Sequence, residues 1–224
     1  MLAFLAVAVA LQSPINVLSD AETSAGWKLL FDGKSTAGWH NFQAKEVAAG
    51  WQVKDGALTV VDPEHAGDLA TDEKFTWFDL SVEFNFEKGQ NSGVMFRVTE
   101  EGKAIWHSGP EIQIYDHKRE PGVEATGSLY QLYEPTGTDD PVKPAGEWNR
   151  FDIHIAPDKC WTDLNGVRLY EFVIDSEDFM ARVAKSKFSE FPFFAKSKTG
   201  SIGIQGDHGH VAFRNVKIRP LNTN

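Results

Sequence analysis

The chain has 224 residues and a formal net charge of -10, from 22 basic and 32 acidic side chains. That length supports one self-sufficient core without requiring two domains, and a composition 42% hydrophobic and 24% charged fits neither a disordered chain nor a multi-span membrane protein. The acidic balance argues against a nucleic-acid partner, which needs clustered Lys and Arg. The single cysteine, Cys160, excludes an internal disulfide or a cysteine-built zinc site.

Residues 1–11 read MLAFLAVAVAL. The run is too short to cross a bilayer but matches the apolar core of a signal peptide, and Ala8-Val9-Ala10 supplies a small-x-small cleavage pattern. Export is expected, with 1–13 as the leader, although the stretch carries no Lys or Arg. Beyond it come short strands between turns. Residues 27–31 (WKLLF) stop at Asp32-Gly33, and 51–54 (WQVK) turn through Asp55-Gly56 into 57–61, a hairpin signature. Residues 39–50 could hold a short helix. Residues 79–86 (DLSVEFNF) alternate strictly, with Leu80, Val82, Phe84 and Phe86 on one face. Strands follow at 92–98, 111–115 and 151–155. Residues 160–164 and 167–172 pair across Asn165-Gly166. Residues 176–184 (SEDFMARVA) carry a Ser cap, early acids and helical spacing, and strands at 201–205 and 211–219 close the chain. The Pro- and Gly-rich stretch 134–146 reads as an exposed loop. Such a series predicts an all-β jelly-roll sandwich of two antiparallel sheets with at most one or two short helices, as a single domain over 26–221.

The densest chemistry lies in GPEIQIYD, residues 109–116. An extended strand projects Glu111, Gln113 and Tyr115 from one face and the apolar Ile112 and Ile114 from the other. Asp116 falls on the apolar side unless a bulge re-aims it. Arg97, near the end of the preceding strand, could reach Glu111 or a ligand between the two strands. The C-terminal run IGIQGDHGH brings Gln205, Asp207, His208 and His210 together, where Asp207 could orient an imidazole for acid–base work. Trp106, His107, Tyr130 and Tyr133 suit the rim of a sugar groove, and Trp148 is expected to cap the core. No phosphate-binding loop, dinucleotide fingerprint, zinc-protease motif or nucleophile elbow occurs.

The segments 26–33 (GWKLLFDG) with Gly38-Trp39, 51–58, 91–97, 109–116, 127–130, 146–149, Asn165-Gly166 and 202–220 together resemble, in order, the 3-keto-disaccharide hydrolase domain family, a concanavalin-like jelly roll. The resemblance implies cleavage of glycosides already oxidised to a ketone at sugar carbon 3. A ketone acidifies the hydrogen on carbon 2 and places the carbon 1 leaving group β to the carbanion, so bond rupture can run as elimination followed by hydration. That needs a base, an electrophile for the enolate oxygen and an acid for the departing oxygen. The motif match does not assign these parts to residues; on this chain the expected assignment is Glu111 or His208 as base, Arg97 and Gln113 at the enolate or ring, and Asp116 or Tyr115 as acid, with Trp106, Tyr130, Gln205 and Asp207 also at the sugar. Glu111, Asp116 and His208 could instead hold a divalent metal ion on the keto-diol. Two other readings stay open. A lectin-like module would bind sugar without turnover. A laminarinase-like retaining glucanase would need two close carboxyls, and the strand here offers Gln113 and Asp116 where that enzyme carries acids.

Overall fold

The computed structural model describes residues 14–116, 122–137 and 140–222. The expected leader at 1–13 lies outside the described residues. Thirteen strands run in chain order: β1 (Lys28–Leu29), β2 (Trp39–Asn41), β3 (Trp51–Lys54), β4 (Ala57–Val60), β5 (Leu69–Phe75), β6 (Phe78–Phe86), β7 (Asn91–Val98), β8 (Glu111–Tyr115), β9 (Asn149–Ile155), β10 (Cys160–Leu164), β11 (Val167–Phe172), β12 (Gly200–Ile204) and β13 (Val211–Pro220). Helix α1 covers Asp20–Ser24 and α2 covers Glu177–Lys185. Neither is long and apolar enough to cross a membrane.

The strands form two antiparallel sheets, the layered jelly roll that the alternation predicts. One sheet has eight strands in the order β11-β10-β9-β6-β13-β4-β3, with β1 on the flank of β13; the other has five, β2-β5-β12-β7-β8. Both two-residue hairpins form with left-handed turn residues, Asp55 (φ 50°) with Gly56 (φ 75°) and Asn165 (φ 51°) with Gly166 (φ 83°), the backbone that a tight hairpin requires. Alternation then buries one face of each sheet. Leu80, Val82, Phe84 and Phe86 of β6 meet Phe151 and Ile153 of β9 on the inner side, with the Phe84 and Phe151 rings 4.5 Å apart. Val94, Phe96, Ile112, Ile114, Ile202 and Ile204 line the facing side of the five-stranded sheet.

Helix α2 begins at the expected Ser176, whose hydroxyl accepts the Phe179 amide at 3.2 Å, and buries Phe179 and Val183. No helix forms over 39–50. Trp39 instead starts β2, buries its ring in the core and donates Nε1 to the Leu30 carbonyl at 2.6 Å. Trp148 does not cap the core either: it lies half-buried beneath the Arg214 guanidinium, 4.0 Å from its ring, on the solvent side of the eight-stranded sheet.

Candidate active site

On the solvent side of the five-stranded sheet the surface divides in two. Met95 and Val98 of β7 form a small cluster with Ile105, roofed by Phe42 and Trp106. Beside it lies a hollow of about 150 Å³ lined by Asn91, Trp106, Glu111, Gln113, Tyr130, Lys187, Gln205 and His208. The strand pattern explains why Glu111 and Gln113 are there. Ile112 and Ile114 are fully buried on the inner side, so the intervening residues must face out.

Glycine at 93 makes room for the acid. A methyl group built on Gly93 would stand 2.0 Å from Glu111 Oε1, so the carboxyl lies across the bare backbone of β7. Gln113 Oε1 accepts the Ile114 amide at 3.1 Å, which leaves its NH2 group to the hollow. Gln205 is held through its main chain, donating to the Gly93 carbonyl at 3.0 Å and accepting the Ser92 hydroxyl at 2.7 Å. Asn91 Oδ1 is buried without a partner, an acceptor available to a ligand hydroxyl.

Burial dominates the electrostatics. Glu111 is 7% exposed, and burial, reinforced by the charge of Asp68, pushes its pKa up to about 8. Asp68 stands behind the hollow, where burial first and the Asp207 charge second push its pKa up to about 7; the Gly206 amide, 3.1 Å from Asp68 Oδ1, works against the rise. His208 Nδ1 pairs with the Asp207 carboxylate, which raises the imidazole pKa and lowers that of Asp207. His208 is exposed on this rim, with Nε2 turned away from that pairing. Lys187 brings the positive charge. Its ammonium lies 4.8 Å from the centre of the Trp106 ring and 4.7 Å from that of Tyr130, two cation–π contacts. The Ser186 hydroxyl, accepting the Phe188 amide at 3.1 Å, fixes the turn that carries the lysine.

Several expected residues are elsewhere: Tyr133 is buried with its hydroxyl donating to Asp178, His107 stacks on Phe191, and His210 lies outside the lining of the hollow. Arg97 is buried inside the sandwich, 1% exposed, with Nη1 3.1 Å from both carboxylate oxygens of Asp175 and its guanidinium 5.2 Å from the Trp77 ring. A bulge explains the reversal: β7 pairs Met95 with Gly203 and Val98 with Ser201, so Phe96 and Arg97 together face Ile202, and Arg97 takes φ 56°. Asp116 accepts the Gly89 amide at 2.5 Å and lines a separate depression with Phe86, Lys88 and Val142, so no bulge brings it round to Glu111. Tyr115 ends β8 exposed at 36%, outside the lining of the hollow. The metal set Glu111, Asp116 and His208 is therefore not assembled, and among the described residues no group of three or more His, Cys, Asp or Glu side chains is arranged to hold a metal ion. The Asp116 displacement also removes the carboxyl pair a retaining glucanase would have drawn from this strand. Glu111, Gln113, Trp106, Tyr130, Gln205 and His208 do come together, with Asp207 behind the imidazole. Lys187, Asn91 and Asp68 join them without a sequence signal; Lys187 follows α2 in an ordinary polar turn.

Residues 26–219 match the 3-keto-alpha-glucoside-1,2-lyase-like domain. The chain belongs to that family. A 3-keto-disaccharide hydrolase of Bacteroides thetaiotaomicron is 27% identical to it across 95% of this chain and 82% of that protein. Two solved Parabacteroides distasonis proteins, assigned as glycosyl hydrolases, superpose with TM-scores of 0.84 and 0.65 at 32% and 31% identity; they match 93% and 87% of this chain and 100% and 99% of their own. The 3-keto-α-glucoside-1,2-lyase-like domain here is thus a glycoside hydrolase-like enzyme on a jelly roll of two antiparallel sheets. The hollow sits on its five-stranded sheet.

Proposed function

We propose that this enzyme cleaves glycosides carrying a ketone at sugar carbon 3, beginning with removal of the hydrogen on carbon 2. The family and the named Bacteroides relative supply the substrate class. The observation that carries the chemistry is a carboxyl buried across the bare backbone of Gly93, its pKa pushed up to about 8, in the same hollow as an imidazole backed by a carboxylate. Two titratable groups with different environments divide the acid and base roles.

His208 is the base. Asp207 holds the Nδ1 proton and leaves the Nε2 lone pair to take the carbon 2 hydrogen. The bond's electrons pass to the carbon 3 oxygen as an enolate. Lys187 and the Gln113 amide meet that charge, the part that sequence reading gave to Arg97. As the enolate collapses, the bond from carbon 1 to the leaving oxygen breaks and Glu111 hands that oxygen its proton. Water adds later to the unsaturated sugar. Asn91 and Gln205 orient ring hydroxyls, and Trp106 and Tyr130 offer the flat faces that sugars stack on. Export through the apolar leader is part of the proposal.

The direct assay incubates the purified protein with a 3-keto-disaccharide and with its unoxidised parent, following free sugar by chromatography. Release from the oxidised substrate alone is expected, and Glu111→Gln should abolish it at unchanged fold. Binding without release would favour the lectin-like module, and release from the parent would favour an ordinary glycosidase. Activity should fall on the alkaline side through about pH 8, as Glu111 loses its proton, and on the acid side as His208 gains one, above the ordinary imidazole value of 6.5.

A further inference from the structure

The opposite face of the molecule carries a second built hollow. The outward residues of β6, β9 and β13 form its floor, and the 141–149 loop forms one wall. A cavity of about 330 Å³ is lined there by Lys143, Trp148, Arg150 and Arg214 with one carboxylate, Glu83. It shares Glu83 and Arg150 with a neighbouring cavity of about 530 Å³ that ends against residues 17–19 and Lys217. The two make one groove across the sheet.

Buried amides hold the wall rigid. Asn149 is 0% exposed; its Oδ1 accepts the Lys143 amide and the Asn165 side chain, both at 2.8 Å, and its Nδ2 donates to the Lys143 carbonyl at 3.2 Å. Asn165 Nδ2 also donates to the Pro141 carbonyl at 2.7 Å. This network fixes the loop backbone, and the Lys143 ammonium donates to the Trp148 carbonyl at 3.0 Å, so the wall is partly ordered before a ligand binds. The guanidiniums are only partly spent. Arg150 donates from Nε to Asp152 at 2.9 Å and Arg214 from Nε to Glu83 at 2.7 Å, while among the described residues neither uses its Nη groups on a protein acceptor. Across the two cavities Lys143, Arg150, Arg214 and Lys217 stand against Glu22 and Glu83, with Asp152 beside Arg150, a cationic excess in a chain of charge -10.

We infer that this outer groove binds an acidic glycan, a chain bearing carboxylate or sulfate groups, with the free Nη edges and Lys143 on the acids and the Trp148 edge against a sugar ring. The groove is separate from the catalytic hollow, so the inference stands whether or not the keto-sugar chemistry does. It would hold a polymer on one side of the enzyme while the other side works on a single sugar.

Native affinity electrophoresis of the full-length protein in gels containing polygalacturonate, chondroitin sulfate or the neutral glucan laminarin tests this. Retardation is expected in one or both acidic gels and not in laminarin; which gel retards the protein separates the carboxylate source from the sulfate source. Trp148→Ala and the double variant Lys143→Gln/Arg150→Gln should each weaken retardation about tenfold or more, with unchanged melting temperature for the double variant and unchanged turnover of a small 3-keto-disaccharide. No retardation in either acidic gel overturns the inference. So does retardation that survives the double variant, or equal retardation by laminarin.

Discussion

Glu111 is a carboxylic acid in a place where a carboxylate is costly. Its ordinary pKa of 4.5 rises to about 8 on folding, so between those values the folded protein holds one more proton than the unfolded chain. Stability from this group is therefore full below about pH 4.5 and is lost as the pH rises towards 8. Asp68, raised to about 7, acts in the same direction. The site is built at the expense of the fold, and Glu111→Gln should melt higher than the wild type at pH 8, with the gap closing towards pH 5. A melting curve that moves in parallel for both proteins across that range would contradict the assignment. Lys187 is testable by rate. Lys187→Met keeps an unbranched side chain but removes the charge that meets the enolate, so kcat on a 3-keto-glycoside should fall about 100-fold or more while KM moves less. A raised KM with kcat unchanged would make Lys187 a general binding group. This lysine was invisible in the sequence, because only the fold carries a turn after α2 to the end of β8.

The elements whose two faces differ were readable from alternation. In β6, β8 and β9 apolar side chains occupy every second place, because one face meets the core and the other carries polar side chains outward. β5 gave no such signal. Its first three residues, Leu69, Ala70 and Thr71, are all buried and its next three, Asp72, Glu73 and Lys74, are all exposed, a pattern without a period of two. The bulge in β7 was equally hidden, since one extra residue inverts every side chain after it. It put Arg97 on the core side, where its Nε and Nη2 have no hydrogen-bond partner. Asp175, 38% exposed at its side chain, is the counter-charge. Removing either member should therefore have unequal effects. Asp175→Ala strands a buried cation and should cost about 3 kcal/mol, whereas Arg97→Met removes the charge with its orphaned donors and should cost less. Urea unfolding of the two variants measures the order, and Arg97→Met as the more damaging change would refute this view of the pair.

Over the whole molecule, two sheets keep two kinds of surface apart. The eight-stranded sheet turns ion pairs and the outer groove to solvent, and the five-stranded sheet turns out the hollow. The hollow draws on residues from Asn91 to His208, and they meet only because β8 and β12 flank β7. That is why the GPEIQIYD strand and the C-terminal His208 could be recognised as chemistry from their residue types, while Arg97 and Asp116 were misplaced by reach alone. In the proposed mechanism the carbon 2 hydrogen leaves before the glycosidic bond breaks. That order is tested most directly by comparing a 3-keto-disaccharide with its carbon 2 deuterated form under single-turnover conditions. A primary isotope effect of about 2 or more is predicted, because transfer of that hydrogen to His208 lies in the first committed step. Equal rates for the two substrates, with free sugar released and the deuterium still on carbon 2 of the product, would contradict the mechanism.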